Sequence, residues 1–290
     1  MNNILTRLIL VGLAVPLLFF LALFLPYMNH AVLSLVVLVF VIGSSIELKT
    51  MLEPESGKIR TINAVIMGTL APASVYACRL FLKDSNLAVS WLAPLSIVML
   101  SAFLLSAIPI ALSARPDSIA RSAQRSTANS LYLIYPGALS SAIIVILSAR
   151  YDSGMLLIWF AMIVFGNDSL AWLTGITLGR NRGIFAVSPK KSLEGLIAGL
   201  FGSVLMAFSG PFLLPNLVPR SWALLGVLGI SCGAAVVMGD LFESGIKRAA
   251  GLKDSGSIVP GRGGMLDSFD SLMFAAPVFT GILALAGILS

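Results

Sequence analysis

An all-α, polytopic membrane protein is the fold class this sequence predicts, and three observations predict it. Hydrophobic residues fill 58% of the 290 positions and charged residues only 11%, with a mean hydropathy of +0.97, well outside the averages for soluble domains. Nine apolar runs approach the roughly 20 residues that cross a hydrocarbon core, where a backbone without water must satisfy its own hydrogen bonds and helices do so locally. The basic residues, counted loop by loop, collect on one side of those runs. No segment between runs is long enough for a separate soluble domain, so residues 1–290 read as one membrane-embedded domain.

The elements follow in order. A short basic start with Arg7 leads into an apolar run over 8–25, read as an uncleaved anchor helix because a signal peptide has a shorter apolar region and a small-residue cleavage site. Further spans are expected at 31–46, 62–82, 91–112, 131–149, 155–173, 193–214, 222–238 and 272–289. The second is short enough to tilt or re-enter. Small residues recur in spans, as at Gly195, Gly199, Gly226 and Gly229, where close helix packing is the expected use.

Alternation of nine spans puts fifteen of the nineteen lysines and arginines on one side. They are Arg7; Lys49, Lys58 and Arg60; Arg115, Arg121 and Arg125; Arg180, Arg182, Lys190 and Lys191; and Lys247, Arg248, Lys253 and Arg262. By the positive-inside rule that side is the cytoplasm, so the amino terminus and the polar loops face it and the carboxyl terminus lies outside. The same asymmetry accounts for the net charge of +6, and no basic run with interleaved aromatics points to nucleic acid. Cys78 and Cys232 sit inside apolar runs without CxxC spacing and read as buried free thiols. His30, the only histidine, falls in a short loop expected outside, with no clear partner.

One polar, glycine-rich stretch, 239–272, breaks the apolar pattern. It holds five acids (Asp240, Glu243, Asp254, Asp267, Asp270) and four bases (Lys247, Arg248, Lys253, Arg262), a composition that suits a divalent cation and phosphate. Asp267 and Asp270 are spaced i, i+3, as are Asp240 and Glu243, and residues so spaced share a helix face. Each pair is either a metal-holding pair or a set of helix-end caps. Gly261, Arg262, Gly263 and Gly264 would let backbone amides approach phosphate oxygens, although such a cluster is often only a turn. No GxxxxGK[ST] is present, which excludes a P-loop. A second group runs from Ser188 through Pro189, Lys190, Lys191 and Ser192 to Glu194, where Ser188 is expected to cap a helix with Pro189 at its first position and two lysines beside it. Asp168 is an acid late in the sixth span, where an ionisable group is costly unless it faces a polar interior or a site.

Ser244, Lys247, Arg248, Lys253, Asp254, Gly256, Pro260, Gly261, Gly263, Gly264, Asp267 and Asp270 resemble, in order and spacing, the signature of the phosphatidate cytidylyltransferase family. The run from Ser188 to Gly195 resembles that family's second motif, and Gly179 and Arg180 also resemble it. Arg262 stands where the family commonly has His, and Ser268 where it commonly has Arg. The resemblance implies transfer of CMP from CTP to phosphatidic acid, giving CDP-diacylglycerol and pyrophosphate in phospholipid biosynthesis. It implies Mg2+ as cofactor with Asp240, Asp267 and Asp270 as its ligands, and a catalytic group of those three with Lys247, Arg248, Lys253 and Asp254. It further implies nucleotide or phosphate binding by Asp168, Ser188, Lys190, Lys191, Gly261, Arg262, Gly263 and Gly264. The expected setting is the inner cell membrane, with the site facing the cytoplasm, CTP, phosphatidic acid and membrane lipid as partners, and a homodimer compatible with the sequence. A CTP-dependent enzyme acting on another lipid, in the manner of a polyprenol kinase, and a transporter remain alternatives.

Overall fold

The computed structural model describes residues 16–82, 86, 88–113, 115–259 and 263–289. Eight helices in it are long and apolar enough to cross a membrane: α1 Tyr27–Leu52, α2 Lys58–Phe81, α3 Val89–Ala111, α4 Pro116–Leu147, α5 Ser153–Thr177, α6 Leu193–Leu213, α7 Trp222–Ala249 and α8 Leu266–Leu285. Of the expected first span, residues 16–24 are helical and 8–15 lie outside the described residues. Among the described residues the only extended pairings are two isolated bridges, Arg182 with Ser192 and Val259 with Gly263.

Several helices run past the apolar limits expected from the sequence, and each extension carries polar residues into the bundle. α1 continues to Leu52 with Glu47 and Lys49 on it. The expected loop bearing Arg121 and Arg125 is helical, because α4 starts at Pro116 and stays helical to Leu147. Proline suits the first turn of a helix, and a π-helical segment at Leu133–Ala138 accommodates the second proline, Pro136. α7 extends to Ala249 and α8 begins at Leu266, so only 250–265 of the polar stretch is loop. Hydropathy misses these turns because it reports which residues suit lipid, whereas helix length here is set by polar faces that pack inward.

His30 corrects a further expectation. It is buried, and its Nε2 lies 2.9 Å from Ser153 Oγ at the start of α5. Met28, Asn29 and His30 all have φ between 50° and 55°, a left-handed interruption tied down by Asn29 Nδ2 donating to Arg79 O (3.1 Å) and Tyr76 Oη donating to Met28 O (2.9 Å). Arg79, at the same end, is also buried and donates to Ser90 Oγ and Ser148 Oγ at 2.9 and 3.1 Å. A buried guanidinium needs such partners, and α2, α3 and α4 meet around it.

The core is built by close helix contact. α5 packs on α6 and α7 on α8, and Asn167 on α5 donates to Ser203 Oγ on α6 (3.0 Å) and Gly233 O on α7 (3.4 Å). At Gly202 a Cβ would overlap the Gly166 carbonyl, whereas around Gly226 there is open space. The two glycines therefore differ in role, which their sequence setting does not reveal.

Up-and-down traversal places the loops 53–57, 112–115, 178–192 and 250–265 at one end of the bundle. Every polar constellation noted in the sequence sits at that end. Large exposed apolar side chains such as Ile97, Leu100, Phe103 and Ile66 line the sides, as a lipid-facing surface requires.

We expect Gly202→Val to lower thermal stability by about 1–3 kcal/mol through overpacking, and Gly226→Ala to leave it equal or slightly raised. Thermal unfolding of both variants in detergent checks the contrast, and equal effects would contradict it.

Candidate metal and phosphate site between α7 and α8

The site begins with a helix contact. Gly239 on α7 faces α8, and a Cβ there would stand 2.9 Å from Asp270 O and 3.1 Å from Phe274 Cβ. Glycine thus lets the two backbones close up. The next residue, Asp240, with Glu243 and Lys247 three and seven positions along, shares one face of α7. That face meets the first turn of α8.

Asp240, Glu243 and Asp270 each offer a carboxylate oxygen within 4.8 Å of the others. Glu243 and Asp270 are buried and Asp240 is half-buried. Asp267, in contact with Glu243, also reaches the loop: its Oδ1 accepts from Lys247 Nζ (2.5 Å), and its Oδ2 accepts from Ser255 N (2.9 Å), Ser255 Oγ (3.0 Å) and Gly264 N (2.8 Å). Lys247 also pairs with Glu243 Oε2 at 3.1 Å. The i, i+3 pair on α8 therefore divides its tasks: Asp270 joins Asp240 and Glu243, and Asp267 links Glu243 and Lys247 to the loop. The group of three closes with Glu243, which the sequence pairs with Asp240 without deciding between metal holding and helix capping.

Lys191, from the second motif, forms an ion pair with Asp240. Asp168 is exposed on α5 and near enough to act electrostatically on Asp270. Ser192, and not Ser188, caps the following helix: its Oγ accepts from Gly195 N at 3.2 Å, while 188–191 forms turns ahead of it. A helix begins where the backbone can first continue unbroken, and the bridge of Ser192 to Arg182 fixes that point. Glu194 closes the loop by accepting from Arg180 N (3.2 Å) and Asn181 Nδ2 (2.7 Å).

Gly263 has φ +109°, a conformation open to glycine, and it pairs with Val259 through hydrogen bonds of 2.8 and 3.0 Å. Gly264 donates to Asp267 as above. Gly261 and Arg262 lie outside the described residues. Arg248 is exposed and closes its own helix end by donating to Leu252 O (2.9 Å). Lys190, Lys253 and the Asp254 side chain are exposed near the site rather than joined to the carboxylates.

Two residues with no place in the sequence reading belong here. Glu47, on α1, is buried, and it accepts from Ser255 Oγ (2.8 Å), Met265 N (2.9 Å) and Leu266 N (2.9 Å). It caps α8 from another helix and holds both ends of the glycine-rich loop. The signal available was an acid directly after the apolar run 31–46. Tyr135 packs edge-on against Phe242 and Phe274, with ring centroids 5.0 and 5.7 Å away, among the charges of Asp270, Glu243, Asp240 and Asp267. Nothing in its apolar sequence setting marks it.

The carboxylates outnumber the cations that face them: Glu47, Asp240, Glu243, Asp267 and Asp270 stand against Lys191 and Lys247. Glu243 Oε1 and Tyr135 Oη are buried with no hydrogen-bond partner among the described residues. Buried acids of this kind call for a compensating positive charge. Hard oxygen donors converging from two helices fit Mg2+, which takes one or two protein carboxylates and completes its shell with water or phosphate oxygen.

The sequence matches the profile of the cytidylyltransferase family over residues 5–286. The chain belongs to that family. Among curated proteins it is 41% identical over 122 residues to a phosphatidate cytidylyltransferase of Staphylococcus aureus, covering 42% of this chain and 46% of the relative. A phosphatidate cytidylyltransferase of Thermotoga maritima is 41% identical over 114 residues, covering 38% and 42%. An uncharacterised Escherichia coli protein, YnbB, is 40% identical over 134 residues, covering 46% and 44%. The matched stretches thus span less than half the length of these relatives.

Removing the Glu47 carboxylate leaves the Met265 and Leu266 amides unpaired, and hydrogen bonds to a charged group contribute about 1.5–3 kcal/mol each. Glu47→Ala should therefore destabilise the loop 250–265 by about 3 kcal/mol or more. Limited proteolysis in detergent would show faster cleavage there, and cleavage at the wild-type rate would count against the role.

Proposed function

We propose that this cytidylyltransferase-family protein transfers CMP from CTP to phosphatidic acid, giving CDP-diacylglycerol and pyrophosphate. The observation that carries the reading is the convergence of Asp240, Glu243 and Asp270 within 4.8 Å at the polar end of an apolar bundle. The names of the relatives support the choice of substrates. In the reaction a phosphate oxygen of the lipid forms a bond to the α-phosphorus of CTP, and the bond from that phosphorus to the bridging oxygen breaks, so the electron pair leaves with pyrophosphate. The lipid is itself the nucleophile, and no covalent enzyme intermediate is needed.

Asp240, Glu243 and Asp270 would hold Mg2+, which when bound neutralises charge on the triphosphate and the leaving group. Lys247 is aimed by Asp267 and Glu243, and Lys191 is held by Asp240. Released from Asp240, Lys191 can turn to a phosphate, with Lys190 and Lys253 exposed close by. Backbone amides of the glycine-rich loop, held by Glu47 and Asp267, supply further donors to phosphate oxygen. The lipid approaches sideways, its chains in hydrocarbon and its headgroup at the loop end. The clustering of basic residues at that end supports a cytoplasmic orientation in the inner membrane, with the amino terminus on the same side.

The decisive assay follows label from CTP into chloroform-soluble lipid with purified protein, phosphatidic acid and magnesium. Asp270→Asn and Glu243→Gln should each lower turnover on the order of a hundredfold or more, and chelation should abolish it. A folded protein that makes no lipid product, or an Asp270→Asn enzyme of normal rate, would overturn the proposal.

A further inference from the structure

A second polar site lies away from the carboxylates. A cleft of about 320 Å³ opens between α2, α3 and α4, lined by Arg60, Asn63, Met67, Leu105, Pro109 and Arg125 among others. Its two halves differ in chemistry. Met67, Leu105 and Pro109 form an apolar wall, and Leu105 is 62% exposed on the side of the bundle that faces hydrocarbon.

The other half presents donors. Arg125 makes no ion pair or side-chain hydrogen bond among the described residues. Arg60, which lines the cleft, spends Nε and Nη2 on Glu53, at 3.2 and 2.8 Å, and its Nη1 has no partner among the described residues. Asn63 Nδ2 donates to Asn129 Oδ1 (2.7 Å), which orients the Asn129 amide so that its own NH2 remains a donor.

The depth is that of a headgroup. Arg60 is the third residue of α2, at the boundary between the loop 53–57 and an apolar span whose Ile62 and Ile66 are exposed to lipid. The first half of α4, which carries Arg121 and Arg125, is amphipathic and lies at the same end of the bundle. An unpaired guanidinium beside amide donors, over an apolar wall open to the bilayer, matches an anionic head joined to hydrocarbon chains.

We propose that this cleft binds an anionic phospholipid, its phosphate between Arg125, Arg60 and Asn129 and its acyl chains along Met67, Leu105 and Pro109. The site is distinct from the carboxylate group, yet one helix joins them: from Asn129 to Tyr135 is six residues, about 9 Å along α4. Tyr132, between the two, donates to Glu53 Oε2 at 2.8 Å, and the same oxygen accepts from Arg60 Nη2. A phosphate on Arg60 would therefore pull on a network that ends one helical turn from Tyr135. The occupant gains a place to wait or to act on the site without being the lipid that reacts.

The test needs no turnover, so it stands or falls apart from the reaction proposed above. The purified full-length protein is placed in phosphatidylcholine nanodiscs with a small fraction of phosphatidylglycerol carrying a photoactivatable group on one acyl chain. After irradiation and digestion, adducts on peptides bearing Met67 and Leu105 are expected. Arg125→Gln should cut that labelling about tenfold, as loss of a charged hydrogen bond predicts, while Arg125→Lys keeps most of it. Equal labelling by a phosphatidylcholine probe, or labelling unchanged in Arg125→Gln, would overturn the proposal. Displacement of the label by inorganic phosphate or CTP at constant ionic strength would reassign the cleft to a soluble phosphate and overturn the lipid assignment as well.

Discussion

The carboxylate of Glu47 is the constraint on which the polar end of this molecule depends. It reaches from α1 to the first amides of α8 and to Ser255, so a helix early in the chain holds a loop more than 200 residues later. Gly264 is needed for that approach, since a Cβ there would overlap both Glu47 and Ser255. With α8 fixed, Asp267 is delivered to Lys247 and Asp270 to Asp240 and Glu243. One buried charge thereby sets two others, Asp267 and Asp270, against the three on α7.

Such a concentration of acid is unstable by itself. Lys247 is shared by two carboxylates, and Lys191 answers a third from another loop. The remaining imbalance sits at Glu243 Oε1 and beside the unpartnered Tyr135 hydroxyl. Buried polar groups are as a rule satisfied, and the divalent cation proposed above, with a phosphate, would satisfy these most simply. The lipid around the bundle matters too, because low dielectric would strengthen every attraction between the proposed cation and a polyphosphate.

The two ends of the bundle answer the cost of buried polarity differently. Arg79, at the end away from the loops, is matched with two serine hydroxyls and a backbone carbonyl, and His30 Nε2 meets Ser153 Oγ while its Nδ1 has no partner among the described residues, so both act chiefly as fasteners between helices. At the loop end the charges outnumber their partners, both in the carboxylate group and at Arg125. Polar groups satisfied inside the protein stabilise it; those left over are the ones that can meet a ligand.

The sequence alone determined the all-α membrane class, the family resemblance and the side on which the charges gather, because hydropathy and loop charge are properties of composition and order. It also marked Asp240, Lys247, Asp267 and Asp270, which the fold brings together, and Lys191, which the fold joins to Asp240. Only the tertiary structure decided that α4 runs through the expected loop at Arg121 and Arg125, that Ser192 caps α6, that His30 is buried, and that Asp267 also holds the glycine-rich loop while Asp270 does not. It alone recruited Glu47 and Tyr135 and placed Glu243 beside Asp270. Those outcomes depend on which helix faces lie against one another, and spacing along a chain fixes the face of one helix but not the neighbour it meets.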